Sequence, residues 1–481
     1  MLGLALLAFA AAAAMAWFVF ERLPHLEDEV AYVFQARVMA RGALWAPAPD
    51  NAAPFWVPFV LTLDERRFAK YPPGWPAVLA LGERLGAAWL VNPLSGALSV
   101  TLLYLLGRDV FDRPTATLAC LLMVSSPMFL VLSGTLMPHA LTLTLGLLFM
   151  LAFRRAEAAS QRAAGWSALA GAALGWVAIT RPLTAVGLGL PFLGLLAWRV
   201  LGHLPGRGGW RALLTFAPLA GAALAVASLY PAYVWALTGD PTTNLYTLWW
   251  PYDRIGFGPG ISPHDGHTLR QAVVNARADL GLWASDLFGW PSLSWIFLLP
   301  GIVARRRSAW GWTLLALFPS FVAVHLAYWV GSQVYGTRYY YEALPGLALL
   351  TAAGMRWLVG LRLKGRWRQA ALATLVTALL AVNLVFYLPG RWRELRGLYT
   401  ITRAPLVRLA ELQEGDVLVV ARAERWWEYG ALLAQTSPWL DGPLVVARDI
   451  VPEATEAAIA ACPDRQLLYF YQGHFYEERP Y

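Results

Sequence analysis

The sequence predicts an α-helical polytopic membrane protein with a small α/β domain at its C-terminal end. Three observations predict it. Of 481 residues, 58% are hydrophobic and only 14% charged, where soluble domains carry about 25% charged residues. Apolar runs long enough to cross a hydrocarbon core of about 30 Å recur along the chain. From residue 391 onward the pattern changes to short apolar runs separated by helical stretches.

About eleven spans are expected, at 2–20, 91–107, 114–132, 138–153, 165–180, 183–200, 212–236, 292–304, 310–330, 339–360 and 369–388. The first, Leu2 to Phe20, is uncharged and lacks a basic leader. It therefore reads as a retained span rather than a cleaved signal. Short loops with Arg108 and Arg113, Arg154 to Arg162, Arg199 to Arg211, Arg305 to Arg307 and Arg356 to Arg368 alternate with loops poor in basic residues. The positive-inside rule makes the basic loops cytoplasmic. Residues 21–90, 238–291 and the tail then lie outside. The net charge of +8 belongs to this topology rather than to nucleic acid. The 24 tryptophans fit interfacial belts. Cys120 sits in a span and Cys462 near the C-terminus, so no disulfide joins them.

The chain divides into a transmembrane module, 1–390, and an external domain, 391–481. In the latter, Val417 to Val420, Leu444 to Val446 and Gln466 to Phe470 read as strands, with helical runs at 424–435 and 453–461 between them. That alternation predicts a parallel sheet. It contains no glycine-rich phosphate loop.

Chemistry concentrates outside. Glu27, Asp28 and Glu29 open a helix just past the first span. Acidic residues there complement a helix dipole; alternatively, Asp28 is a general base at the membrane surface. Asp28, Tyr32 and Gln35 share one face, and Val30, Phe34 and Val38 share another that could rest on the bilayer. Lys70-Tyr71-Pro72-Pro73-Gly74-Trp75-Pro76 is a rigid turn that can present Lys70 and Tyr71 to an anionic head group. His139 opens the fourth span. His264, Asp265 and His267 are the candidates for a divalent metal, though Asp-Gly is first of all a turn, and Thr268 caps a helix at 269–288. His267 is also a candidate substrate contact. Gly256 to Gly260 gives the loop freedom to close over substrate. Asp253, Asp279 and Asp286 read as solvated-face residues. Glu342 requires a buried arginine partner, Arg338 or another.

In order, the acidic pair after span one, the Lys-Tyr-Pro-Pro turn, Arg181-Pro182-Leu183, and Gly336-Thr337-Arg338-Tyr339-Tyr340-Tyr341-Glu342 resemble the GT-C superfamily of membrane glycosyltransferases. The resemblance is to its polyprenyl-phosphate-mannose and aminoarabinose transferase branch, over roughly residues 1–390. It implies a GT-C-type bundle with external amphipathic loop helices, and transfer of a hexose or pentose from a polyprenyl-phosphate donor to an acceptor hydroxyl. The acceptor would be a glycan, lipid or protein, and the transfer would occur on the external or periplasmic face of the cell membrane. Asp28 would act as the base with Glu29 alongside, and Lys70, Arg181 and Arg338 would hold the donor phosphate. Tyr32, Tyr71, His139, His267 and Tyr339 would touch substrate. Some relatives carry a second acid near His139; this chain has none between Ser133 and Ala140. The resemblance implies no certain cofactor. The alternative is a transporter or flippase, disfavoured because ionisable residues sit at span ends and no internal repeat is evident.

The topology is testable in a cysteine-free background. An impermeant thiol reagent added outside intact cells should label a cysteine placed in 21–90, and should label one at 305–307 only after permeabilisation.

Overall fold

The computed structural model describes residues 1–159, 161–202, 207–263 and 266–480. Among the described residues, seven helices are long and apolar enough to cross a membrane: Leu2–Val19, Ala88–Val110, His139–Ala158, Pro182–Leu201, Leu213–Thr238, Arg338–Gly360 and Gly365–Thr400. A pair, Arg113–Ser125 and Pro127–Gly134, bent by 61°, is together long and apolar enough to be a broken span or a re-entrant loop. Ser126 and Pro127 make the break: Ser126 is extended and its hydroxyl accepts from Phe129 N, starting a new helix. Two shorter apolar helices, Ala163–Ala178 and Ala309–His325, match expected spans.

The span expected at 292–304 is corrected. Only Leu298–Arg305 is helical there, and eight residues rise about 12 Å. Residues 287–297 are mostly turns. Trp290 and Phe297 are buried in protein, which is where non-helical backbone is tolerated at membrane depth.

The basic loops gather at one end of the bundle. Arg155 and Arg108 both meet Asp109, Arg356 pairs with Asp112, and Arg305 donates to Val110 O. Glu157 accepts from Arg199 and Trp310. His139 is the first residue of a 20-residue helix whose last turn carries Arg155. His139 therefore lies about 24 Å from Arg155 along the helix, at the opposite end.

That opposite end carries a polar cap. Residues 21–90 fold into helix Glu27–Ala40, a small antiparallel sheet and helix Gly74–Arg84. The sheet comprises β1 (Ala46–Pro47), β2 (Val60–Leu63) and β3 (Arg66–Ala69), in the order β1-β3-β2. Helix Leu269–Asp286 begins at Thr268, whose hydroxyl accepts from Gln271 N.

The tail forms β4 (Val417–Arg422), β5 (Leu444–Arg448), β6 (Gln466–Tyr471) and β7 (His474–Tyr476), ordered β5-β4-β6-β7. The first three are parallel, as the runs predict; β7 adds an antiparallel edge. The helical run expected at 424–435 is only a 3-10 turn, Trp426–Tyr429, followed by one turn of α-helix, Gly430–Leu433. The helix at the second run is Pro452–Ala460.

Val30, Phe34 and Val38 do not rest on lipid. All three are buried, and the cleft beside them is completed by Leu433, Ala434 and Val446 of the tail. Arg37 donates to Ala434 O at 2.7 Å, and Arg41 pairs with Asp441. Phe55 packs with Leu418, Val420, Val445 and Ala447 inside the tail domain. Apolar side chains take the partner that removes most area from water. Here that partner is the tail domain. Phe55→Ala should cost the docked tail about 3–5 kcal/mol. The expected result in limited proteolysis is release of a fragment beginning near residue 391, at protease levels that leave the wild type intact.

Candidate active site

A cavity of about 490 Å³ opens at the capped end, between the first external loop and the bundle. Its walls bring together Asp28, Tyr32, Lys70, Tyr71, His139, Arg181, Arg338 and Tyr339. All eight were anticipated from sequence.

Helix Glu27–Ala40 delivers the acid. Its N-terminus is closed by Glu29, whose Oε2 accepts from His25 N at 2.8 Å and Leu26 N at 3.2 Å. Leu136 N donates to Oε1 and the Tyr335 hydroxyl to Oε2. Glu29 is 1% exposed. Burial pushes its carboxyl up from the usual range, and the four donors pull it back. It does not line the cavity, so the expected partnership with Asp28 in catalysis is corrected: Glu29 is a cap. Asp28, one residue earlier, points into the cavity and accepts from the Tyr71 hydroxyl at 2.5 Å. Tyr32 lies one helical turn on, its ring centroid 4.5 Å from that of Tyr71. Gln35, on the same face, is tied to backbone at Leu44 O and Ala69 N.

The Lys70–Pro76 turn is pinned at two places, the end of helix Ala163–Ala178 and Leu136. Gly74 N donates to Ile179 O at 2.8 Å, and a Cβ on Gly74 would collide with Thr180. This close approach requires glycine. Trp176 donates to Gly74 O, and Trp75 to Leu136 O. The turn thus spaces Tyr71 from both Arg181 and His139. Lys70 is buried, 3.8 Å from the Phe59 ring centroid and 4.6 Å from that of Trp250. Its ammonium meets Asp253 at 3.3 Å. Burial pulls the Lys70 pKa below its ordinary value; Asp253 and Asp28 oppose the shift.

Arg181 is paired with Glu342 at 2.7 Å, and Thr142 donates to the same carboxylate. The carboxylate therefore found its arginine in Arg181 rather than Arg338. Arg338 lies over Tyr339, 5.7 Å from the ring centroid, and its Nη1 has no hydrogen-bond partner. Tyr339 also stacks on His325 with centroids 4.9 Å apart.

Three aspartates read as solvated are buried: Asp253 is 4% exposed, Asp279 2% and Asp286 1%. Asp253 accepts from Lys70, Tyr328 and Trp329 on the cavity wall. Asp279 holds Ser332 through its carboxylate and Thr337 through its carbonyl. Asp286 pairs with Arg391 and accepts from Tyr387. Gly336, at φ +87, packs so closely on Asp286 that a Cβ would meet its carboxylate. The two helix aspartates therefore set the segment that presents Arg338. Their seven-residue spacing put them on one face, but nothing local showed that the chain from 332 to 337 covers it.

His267 is misplaced by the sequence reading. It stacks on Phe257 with centroids 5.0 Å apart, bonds Leu326 O through Nε2, and does not line the cavity. His264 and Asp265 lie outside the described residues. Among the described residues no cluster of three His, Cys, Asp or Glu side chains could hold a metal ion. Tyr246, Tyr328, Trp329 and His325 also line the cavity. Sequence reasoning missed them because they carry no motif.

Residues 71–235 match the profile of the family described as dolichyl-phosphate-mannose-protein mannosyltransferase. The structure is similar to that of ArnT from Cupriavidus metallidurans bound to undecaprenyl phosphate. The TM-score is 0.60 at 16% identity, covering 95% of this chain and 88% of that one. It is also similar to the oligosaccharyltransferase AglB from Archaeoglobus fulgidus, in complex with an inhibitory peptide and a dolichol-phosphate. There the TM-score is 0.50 at 14% identity, over 92% of this chain and 64% of AglB. No curated protein matches the sequence. The fold is that of the GT-C superfamily of membrane glycosyltransferases. The architecture is ArnT-like, with a small C-terminal sheet beside the helical module.

Glu29→Gln separates capping from chemistry. The amide offers one acceptor oxygen where the carboxylate satisfies four donors, so buried N–H or O–H groups lose partners at about 1–3 kcal/mol each. Thermal unfolding in detergent should show a clear drop for Glu29→Gln and little change for Asp28→Asn.

Proposed function

We propose that the protein transfers a sugar from a polyprenyl-phosphate donor to an acceptor hydroxyl, with Asp28 as general base. The observation that carries the reading is one carboxylate, Asp28, facing three cationic side chains across a single cavity at the capped end of the bundle. Glu27 and Asp253 also line that cavity, but Trp426 donates to Glu27 and Lys70 holds Asp253.

A hydroxyl is a weak nucleophile at neutral pH, and a positioned carboxylate that takes its proton lowers the barrier. In the reaction the acceptor O–H proton passes to Asp28 and the acceptor oxygen bonds to the anomeric carbon. The bond from that carbon to the phosphate oxygen breaks, and its electron pair leaves with the lipid phosphate. One such displacement inverts the anomeric centre. The leaving group is already anionic, so cations serve it better than an acid would. Arg181, Arg338 and Lys70 are the cations on the cavity wall. Tyr71, bonded to Asp28, orients the carboxylate. Tyr32 and Tyr339 line the cavity where the sugar would sit. This differs from glycoside hydrolysis, where two carboxyls flank the bond.

The cap and tail face the exterior in this reading, because the basic loops occupy the other end. A polyprenyl chain extends from the cavity into the bilayer, and the acceptor enters from the aqueous side. The bound lipid in the ArnT structure supports a polyprenyl-phosphate ligand, and the AglB complex, which holds a dolichol-phosphate together with an inhibitory peptide, supports a lipid phosphate of the same kind.

The test is sugar transfer by purified protein in lipid, with polyprenyl-phosphate sugars as donors. Asp28→Asn should lower kcat by at least about a hundredfold, the scale of general-base catalysis. Full turnover in that variant would sink the assignment.

A further inference from the structure

One wall of the cavity is made of polar groups with nothing to bond. His139 is 2% exposed, and neither ring nitrogen has a partner. Thr184 is fully buried, with its hydroxyl unpartnered. Arg338 Nη1 is likewise unmatched. All three residues line the cavity. Burying a polar group without a partner is costly, and three such groups on one wall describe a seat for a ligand.

The chemistry of that seat is one-sided. His139 opens helix His139–Ala158, and Thr184 lies in the first turn of helix Pro182–Gly202. Two helix N-termini, with their unpaired N–H groups and positive dipole ends, therefore open on the same wall. Arg181 and Arg338 are the guanidinium neighbours of His139, and His325 is a neighbouring imidazole. Whatever its protonation state, His139 has at least one N–H to give. The hydroxyl of Thr184 adds another donor.

Resting on the function proposed above, we infer that His139 and Thr184, with Arg338, seat the non-bridging oxygens of the donor's lipid phosphate. His139 thus stands where a second carboxylate would repel that anion. It is a binding residue for the leaving group rather than a spare proton acceptor.

The probes are undecaprenyl phosphate, undecaprenol and inorganic phosphate, with binding measured on the full-length protein in nanodiscs. His139→Ala should weaken undecaprenyl phosphate binding about tenfold or more, the scale of one hydrogen bond to a charged group. His139→Gln, which keeps an N–H donor, should restore most of it. His139→Asp should bind less well than His139→Ala. Undecaprenol binding should not change in any variant. Inorganic phosphate should compete with the lipid on the wild type and compete less on His139→Ala. Equal undecaprenyl phosphate affinity across the variants overturns the inference, as does an equal loss for undecaprenol. If His139→Ala does not fold, equal affinity of the Gln and Asp variants overturns it. Wild-type protein that binds no undecaprenyl phosphate sinks the proposed function instead.

Discussion

The site depends on how one buried carboxylate is satisfied. Glu29 takes hydrogen bonds from two backbone N–H groups just before its helix, from Leu136 in the bend before the fourth span, and from Tyr335 in the segment before Arg338. A charge withdrawn from water must be matched by donors. Here matching it joins three parts of the chain at a single side chain. The neighbouring Asp28 is left facing open space with one partner. Adjacent acids thus differ in position: Glu29 holds geometry, and Asp28 faces the cavity.

The same economy recurs around the cavity. Each buried anion fixes a piece of the wall. Asp253 anchors Lys70, Tyr328 and Trp329; Glu342 anchors Arg181; Asp286 anchors Arg391 behind Gly336. These pairs give shape more than stability, because desolvating two charges offsets most of their attraction. Rigid walls suit the transfer proposed above, which needs a hydroxyl, an anomeric carbon and an anion in line.

Much of this was legible in the sequence. Span positions and the parallel strands of the tail follow from apolar length and run spacing, and ten of the eleven expected spans find a helix or a helix pair. The exception, 292–304, fails because an apolar run says nothing about whether its backbone is helical when protein rather than lipid surrounds it. That Asp28, Lys70, Tyr71, Arg181 and Arg338 would lie near one another could be anticipated, because each sits in a short local pattern at a span end, and all five line the same cavity. Glu29 was read as a co-catalyst because neighbouring acids look alike until their donors, 107 and 306 residues away, are known. Asp253, Asp279 and Asp286 were misread for the same reason. His267 shows the converse, since a chemically suggestive His-Asp-Gly-His run turned its described imidazole into loop packing.

The contact between Glu27 and Trp426 joins residues 399 positions apart. The ribosome makes the helix bearing Asp28 among the first segments and the side chain that steadies its first turn among the last. Until the tail has emerged and folded against it, the helix lacks this contact. Maturation of this pocket is therefore a late event in biogenesis, and a chain stopped after its final membrane crossing would keep every cationic wall residue while lacking the brace on its acid.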